Sequence, residues 1–474
     1  MSVNKRLNEQ VPAALKAGRV PGLSIALIED CQVTWECGFG VRNTRIGSPV
    51  TTETIFEAAS LTKPLFAYLA LLAVDSRLLE LDLPLVTYLD RETIEKEVIQ
   101  HPLDTEEFRR DWFERITARH VLSHSSGMPH IERGVPFPLF FEPGSNFKYS
   151  ATGYYFLQLV IENLKGEPLE RIAERELFKP LSMERSSLVW LDRLGTDVAD
   201  GHDLRSRPQA IRKYQRAHAA ASMYTTAGDY ARFVAAVLGG KGLTEPSKRE
   251  MYTPQIFIQG NDFWGLGFGI QRDEAGDALW QWGDYGIFRN FVIAYPDRGA
   301  AVVYLSNSNN GLGIRDEIVQ TVMGPEFRTS EMLSRYTAYD SPTVLFAWTA
   351  LEEDAQKALR QLPSFRNIDE PLDSGVLNEL GWLLLEEERI EDAIAVYELN
   401  VDENPSVPNT YSSLASAYLR RGNLGDSERA LANYRKVLET SSSDSNGDSD
   451  LLSQLRRDAE ASIFKLRSEE PDAK

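Results

Sequence analysis

The sequence predicts an α+β domain, an antiparallel sheet flanked by helices with a helical middle, followed by an all-helical domain. Three observations predict it. Strand-like segments open the chain and return after residue 264, with a mostly helical stretch between them. A sheet that recruits an N-terminal hairpin satisfies that order. After about residue 330 strand signals stop, and a repeat of about 34 residues runs through 374–439, a period typical of stacked helix pairs. The expected bounds are 1–328 for the first domain, 329–373 for a helical linker and 374–474 for the helical repeat.

Residues 5–18 read as a helix with Leu7, Val11 and Leu15 at helical spacing. Pro21-Gly22 breaks it. Leu23 to Ile28 reads as a strand, Glu29 to Gln32 as a turn and Val33 to Val41 as the return. Phe56 to Leu79 has a broad apolar face including Leu65, Leu69 and Leu72, which suits a buried helix. Ser60 stands where that helix begins, since Pro64 is tolerated only in a first turn. Residues 80–200 read as helices and loops, and Asp229 to Leu238 as a helix. Trp264 to Gln271, Leu279 to Trp282, Phe288 to Ala294 and Ala300 to Ser306 are rich in β-branched and aromatic residues and read as strands. Ile314 to Met323 reads as a closing helix.

In the C-terminal part, Leu380-Gly381 matches Leu414-Ala415 at the repeat offset. Ala393 with Tyr397, and Ala430 with Tyr434, put a small and a large residue one turn apart for close helix packing. The repeat resembles tetratricopeptide pairs. Ser441 to Asp450 reads as a Ser/Asp/Gly-rich loop, and roughly 451–467 as a last helix. Such an array binds a protein partner, makes a dimer contact or packs on the first domain, and the sequence leaves all three open.

Composition excludes several function classes. The formal net charge of −19 repels phosphate backbones, so neither nucleic acid nor an anionic membrane is an expected partner. Two cysteines, Cys31 and Cys37, make no disulfide framework. No apolar run of signal-peptide or membrane-spanning length occurs, which makes the cytoplasm the expected location. His101, His120, His130, His202 and His218 show no metal-ligand spacing, and no glycine-rich phosphate loop is apparent. No metal or organic cofactor is expected.

Three segments carry chemistry. In Ser60-Leu61-Thr62-Lys63, positions three apart share a helix face, so an amine meets a hydroxyl near the positive end of a helix dipole. A serine needs such a neighbour to become nucleophilic. In Tyr149-Ser150-Ala151, a loop tyrosine serves as general base when cations such as Lys63 lower its pKa. In Gln281-Trp282-Gly283-Asp284, a strand glycine allows close backbone approach. The amides of Ser60 and Asp284 then form an oxyanion hole. Trp282 and Tyr285 either line an acyl pocket or pack the sheet. Each segment taken singly is also compatible with a purely structural role.

The three in this order resemble the serine β-lactamase-related family, in the style of class C β-lactamases, penicillin-binding proteins, D-aminopeptidases and family VIII esterases. Val20-Pro21-Gly22-Leu23-Ser24-Ile25-Ala26 resembles the family's opening strand, and Phe56 to Lys63 its nucleophile segment. Leu79-Glu80-Leu81-Asp82 with Tyr88-Leu89 resembles the next helix exit. Val121 to Pro129 resembles its His-Thr-Ser-Gly-Leu loop, Phe147-Lys148-Tyr149-Ser150 its tyrosine motif, and Thr225 to Asp229 the helix start beyond. The resemblance spans roughly residues 5–325 and implies a β-lactamase/transpeptidase-like fold. It also implies a covalent acyl-enzyme on Ser60, with Lys63 and Tyr149 moving the proton. It makes His124 a loop-stabilising residue instead of a triad base.

Two departures bear on substrate. Ala151 stands where the family usually has Asn, and Gln281 where it has His or Lys. The expected substrate-contacting set is Ala151 and Gln281, at positions where the resemblance puts contacts, with Gly283 and the aromatic residues Trp282 and Tyr285. Loss of a charge-assisted contact weakens carboxylate recognition, so neutral esters, amides or peptides are expected ahead of β-lactams. The rivals are a peptidase for D-residue or modified peptides, and a catalytically silent binding module.

Overall fold

The computed structural model describes residues 2–469, apart from 101, 105–107, 131–137, 196, 275, 335, 366–370, 424 and 442–448. His101 and most of the expected 441–450 loop lie outside the described residues. The chain divides into two units, Met1–Ser334 and Arg335–Lys474.

The first unit opens with helix α1 (Val3–Ala17), which buries Leu7, Val11, Ala14 and Leu15. A hairpin of β1 (Gly22–Glu29) and β2 (Gln32–Gly40) follows. Its two turn residues, Asp30 and Cys31, both take positive φ. That geometry matches the twist of the strands in a two-residue hairpin. β1 is buried on both faces except at its last residue, so it reads as a continuous apolar run.

Residues 56–59, expected as the start of a helix, instead form a short strand, β3 (Phe56–Ala59). β3 pairs antiparallel with β4 (Met223–Thr225). Ala59 has φ 49°, a left-handed conformation that ends the strand and turns the chain into helix α2 (Thr62–Asp75). α2 is buried nearly all round, and each fully buried Leu or Phe contributes about 1.5–3 kcal/mol. Pro64 sits in its first turn, as expected. Helix α3 (Ala151–Lys165) is capped by Ser150, whose Oγ accepts from Gly153 N at 3.0 Å. Helix α4 (Ala227–Gly239), capped by Thr226, covers one face of the sheet over β1 and β2.

The remaining strands are β5 (Ile256–Gln259), β6 (Asp262–Trp264), β7 (Gly269–Asp273), β8 (Gly276–Asp284), β9 (Arg289–Tyr295) and β10 (Ala300–Ser306). They join the hairpin in one eight-stranded sheet of order β2-β1-β10-β9-β8-β7-β6-β5. All neighbouring pairs are antiparallel. Leu23 pairs with Ser306, and Gly283 with Asn290. The run 264–271, expected as one strand, is broken by a turn between β6 and β7. Gly267 there has φ +95°, and its N–H donates to Leu122 O at 3.0 Å. A Cβ on Gly267 would strike Ala67 on α2, so the turn packs directly against the nucleophile helix. Helix α5 (Arg315–Met323) closes the unit beside α1.

The second unit is all helical. It contains α6 (Pro342–Glu352), α7 (Ala355–Phe365), α8 (Ser374–Glu386), α9 (Ile390–Glu403), α10 (Pro408–Arg421), α11 (Asp426–Ser441) and α12 (Ser449–Glu469). α6 and α7, within the stretch expected as a linker, pack as a helix pair against α8 and α9. Three pairs therefore stack, enough for such an array to bury a continuous core. A Cβ on Gly381 would meet the ring of Tyr397, which explains the small residue at that repeat position.

Candidate active site

Ser60 occupies the turn between β3 and α2, partly exposed, while Lys63 on the first turn of α2 is 1% exposed. Lys63 Nζ donates to Ser60 Oγ at 3.0 Å and to the Ala220 carbonyl oxygen at 3.0 Å. Burial alone pulls the lysine down to about 7, because a charged ammonium loses its hydration there. The same nitrogen lies 4.5 Å from the centre of the Tyr149 ring.

Tyr149 immediately precedes the Ser150 cap of α3. Its Oη accepts from Gln281 Nε2 at 2.9 Å, and that nitrogen also donates to the Ser60 carbonyl oxygen at 3.0 Å. A carbonyl only accepts, so the nitrogen of the Gln281 amide must face this way. One side-chain nitrogen on β8 thus tethers the nucleophile turn and the tyrosine loop. Ser60, Lys63 and Tyr149 come together as expected. Gln281 does so as a structural link, 0% exposed, with its Oε1 meeting no donor among the described residues.

His124 lies beneath the tyrosine, ring centroids 4.2 Å apart. Its Nδ1 accepts from Ser150 N at 3.0 Å, and its carbonyl accepts from Lys148 N at 2.8 Å. Burial, then the Lys63 charge, holds the imidazole well below its ordinary range. The ring is neutral and braces the Tyr149 segment. Trp282 packs tilted against Tyr149, ring centroids 4.9 Å apart, and joins Trp264 and Trp280 in an aromatic cluster. At 3% exposure its ring packs the wall behind the tyrosine.

Gly283 permits β8 to approach β3. A Cβ there would collide with the Ala58 carbonyl oxygen. Asn290, its partner across the ladder, donates to Glu57 O at 2.9 Å and fastens β9 to the same strand. These contacts set the end of β8, with the Asp284 amide, beside the nucleophile turn. The Asp284 carboxylate pairs with Arg289 at 3.3 Å. Tyr285 donates to the Ala221 carbonyl at 3.0 Å and accepts from Tyr214 Oη at 2.8 Å. Its phenol therefore anchors the 214–221 loop. Ala151 begins α3 with no polar side chain, its N–H donating to His130 O at 3.0 Å.

Three residues of this site carried no weight in the sequence. Glu57, 1% exposed, bonds the backbone and guanidinium of Arg212, so a buried carboxylate paired with an exposed arginine holds the loop that delivers the Ala220 carbonyl. A charge inside the apolar run 56–61 was the available signal. The Ala220 carbonyl itself, being backbone, leaves none. Among the described residues no group of His, Cys, Asp and Glu is placed to hold a metal ion, and no helix is long and apolar enough to cross a membrane.

The beta-lactamase family model matches residues 7–320. The unguisins hydrolase ungD' of Aspergillus campestris (strain IBT 28561) is 24% identical over 341 residues, an alignment covering 63% of this chain and 61% of that protein. The chain thus spans less than two thirds of that relative. Esterase EstB of Burkholderia gladioli is 23% identical over 372 residues, covering 65% of this chain and 91% of the esterase. A solved class C beta-lactamase shares the fold at a TM-score of 0.59 and 18% identity, covering 69% of this chain and 97% of that one. With the fold, the Ser60–Lys63 contact and the family match in hand, the chain belongs to the beta-lactamase family of serine hydrolases.

Proposed function

We propose that this protein transfers acyl groups through a covalent ester on Ser60, and that its substrates are uncharged esters, amides or peptides in preference to β-lactam carboxylates. The observation that carries the chemistry is the 3.0 Å contact between Ser60 Oγ and a lysine buried enough to be neutral near pH 7. In the neutral amine one N–H stays on the Ala220 carbonyl, and rotation about the Cε–Nζ bond turns the lone pair to the Ser60 hydroxyl, which then donates to Nζ across the same 3.0 Å contact. The serine proton passes to Lys63 Nζ as the Oγ–C bond forms. The proton then travels by way of Tyr149 to the leaving group as its bond to carbon breaks. The oxyanion lies between the Ser60 and Asp284 amides. Water repeats the sequence and releases the acid, returning the proton to Ser60.

Electrostatics support the uncharged substrate. The site's edge carries the Asp284 carboxylate, and the cations around it are already paired: Arg289 with Asp284, Arg212 with Glu57. Gln281 adds no charge. A substrate carboxylate at this edge meets two guanidinium groups whose charge Asp284 and Glu57 already offset, and Gln281 gives it no further cation. A panel of p-nitrophenyl esters, D-aminoacyl p-nitroanilides and nitrocefin tests the reading, with Ser60→Ala as control. Esters or anilides turned over at least tenfold faster than nitrocefin support it; nitrocefin as the best substrate contradicts it.

A further inference from the structure

Gln158 is a buried amide that the mechanism leaves unused. It lies two turns into α3, the helix that starts beside Tyr149, and is 0% exposed. Its Nε2 donates to the Ala217 carbonyl at 3.0 Å and to Glu162 Oε1 at 2.9 Å, and its Oε1 accepts from Ala219 N–H at 2.8 Å. Acceptors on one side and a donor on the other fix which end of the amide is nitrogen. Glu162 is itself held, accepting from Leu169 N at 2.9 Å and pairing with Arg216 at 3.7 Å.

The two backbone bonds straddle His218 and grip the chain just before Ala220, whose carbonyl oxygen lies 3.0 Å from Lys63 Nζ. Beyond Ala220 the loop is fastened to the nucleophile helix, where Met223 N donates to Thr62 Oγ1 at 3.1 Å. Ala219 and Ala220 are fully buried and carry only methyl groups, so neither has a polar side chain to hold the carbonyl in place. Its position depends on what grips the backbone on either side. The Gln158 pair ties that backbone to the helix that follows Tyr149.

We propose that Gln158 is a positioning residue for the proton relay, a role that rests on the acyl-transfer reading above: it holds the Ala220 carbonyl against Lys63 Nζ and so aims the lone pair of the neutral amine at Ser60. A neutral amine has two N–H groups and one lone pair. With one N–H on the Ala220 carbonyl, rotation about the Cε–Nζ bond is restricted and the lone pair is kept near the hydroxyl. When the carbonyl drifts, that restriction is lost. The ammonium form also loses an acceptor that favours it. The other titratable groups facing Lys63 are Tyr149 and Tyr154, with ring centres 4.5 and 5.7 Å from Nζ, and the imidazoles of His124 and His218. None of these four is a carboxylate that would take over the part of the carbonyl. Loss of the grip therefore slows the amine and moves its titration to lower pH.

The test is stopped-flow acylation by p-nitrophenyl acetate between pH 5 and 9, with rates expressed per site labelled at exhaustion by a fluorophosphonate. Gln158→Met keeps the length of the side chain and offers only a weakly accepting sulfur in place of the amide. It lowers the plateau rate about tenfold and moves the rise that wild type shows at about pH 7 to lower pH. Gln158→Asn keeps the amide but stops one methylene short. It changes both quantities in the same direction and decides the matter if Gln158→Met does not fold. A rise left where wild type has it overturns the proposal whatever the plateau does, because lost stability alone lowers the number of labelled sites and not their titration. A plateau within twofold of wild type overturns it as well. Either result, with wild type still labelled at Ser60, leaves the acyl-transfer reading standing. Wild type with neither labelling nor turnover overturns both.

Discussion

Lys63 Nζ and Ser60 Oγ are 3.0 Å apart, with the lysine almost fully enclosed and lowered to about 7. The reactive form is the neutral amine, so deprotonation must precede attack. The acylation rate with an activated ester should rise with pH through about 7 and then level off, as followed by stopped-flow release of p-nitrophenol between pH 5 and 9. Lys63→Met should lower that rate on the order of 10³-fold and abolish this limb of the profile. A flat profile in wild type contradicts a lysine base.

The same burial has a thermodynamic consequence. Lys63 falls from 10.5 in the unfolded chain to about 7 in the folded one. Between those values the unfolded chain holds a proton that the folded chain has released, so stability rises with pH across about 7 to 10.5. Below 7 both states are protonated and the full cost of enclosing an ammonium applies. Lys63→Met should therefore stabilise the first unit at pH 7 by ~2 kcal/mol. The gain should shrink as pH approaches 10. Urea denaturation at pH 7 and 9.5 measures both; a destabilised variant at pH 7 contradicts the assignment.

Gln281 donates from one nitrogen to Tyr149 Oη and to the Ser60 carbonyl. Gln281→Leu removes both bonds and should lower kcat on the order of 30-fold with a smaller effect on KM, because the loss falls on positioning the proton relay. Gln281→His keeps a donor toward Tyr149 and adds a group able to carry charge. It should raise nitrocefin turnover relative to ester turnover. An unchanged or lower ratio counts against the missing-cation account.

His124 braces the tyrosine loop through Ser150 N and Lys148 N. His124→Phe leaves the Ser150 amide without its acceptor and should cost about 1–3 kcal/mol of stability. The folded fraction should retain activity within about tenfold of wild type. A triad base removed in the same way would cost on the order of 10⁴-fold, so steady-state rates corrected for folded fraction separate the two roles.

Ser60, Lys63 and Tyr149 were legible only together: a three-residue step and a proline confined to a first helical turn place the first two, and the order of the three segments, through the family resemblance, adds the tyrosine. The hairpin and the late strands were legible through apolar runs and turn residues. What stayed hidden depends on distant partners. Phe56–Ala59 reads as helix because its pairing strand lies at Met223–Thr225 and its terminus hangs on one left-handed alanine. Ile256–Gln259 alternates between half-buried and exposed residues at a sheet edge, and its apolar run of three, Ile256-Phe257-Ile258, is too short to mark a strand by itself. The Ala220 carbonyl is set by loop geometry that no residue pattern encodes. The helix pair Pro342–Glu352 and Ala355–Phe365 keeps the repeat's small residue in its first helix, Ala347 lying 34 positions before Gly381, but has Leu359 and Pro363 where the next pair has Ala393 and Tyr397, and so merged into a linker.

The most direct measurement is intact-protein and peptide mass spectrometry after brief exposure to p-nitrophenyl acetate or a fluorophosphonate. A single adduct on the peptide containing Ser60, absent from Ser60→Ala and much slower to form in Lys63→Met, is the expected result. A correctly folded wild-type protein that takes no adduct on Ser60, or takes it equally fast without the Lys63 amine, would contradict the account.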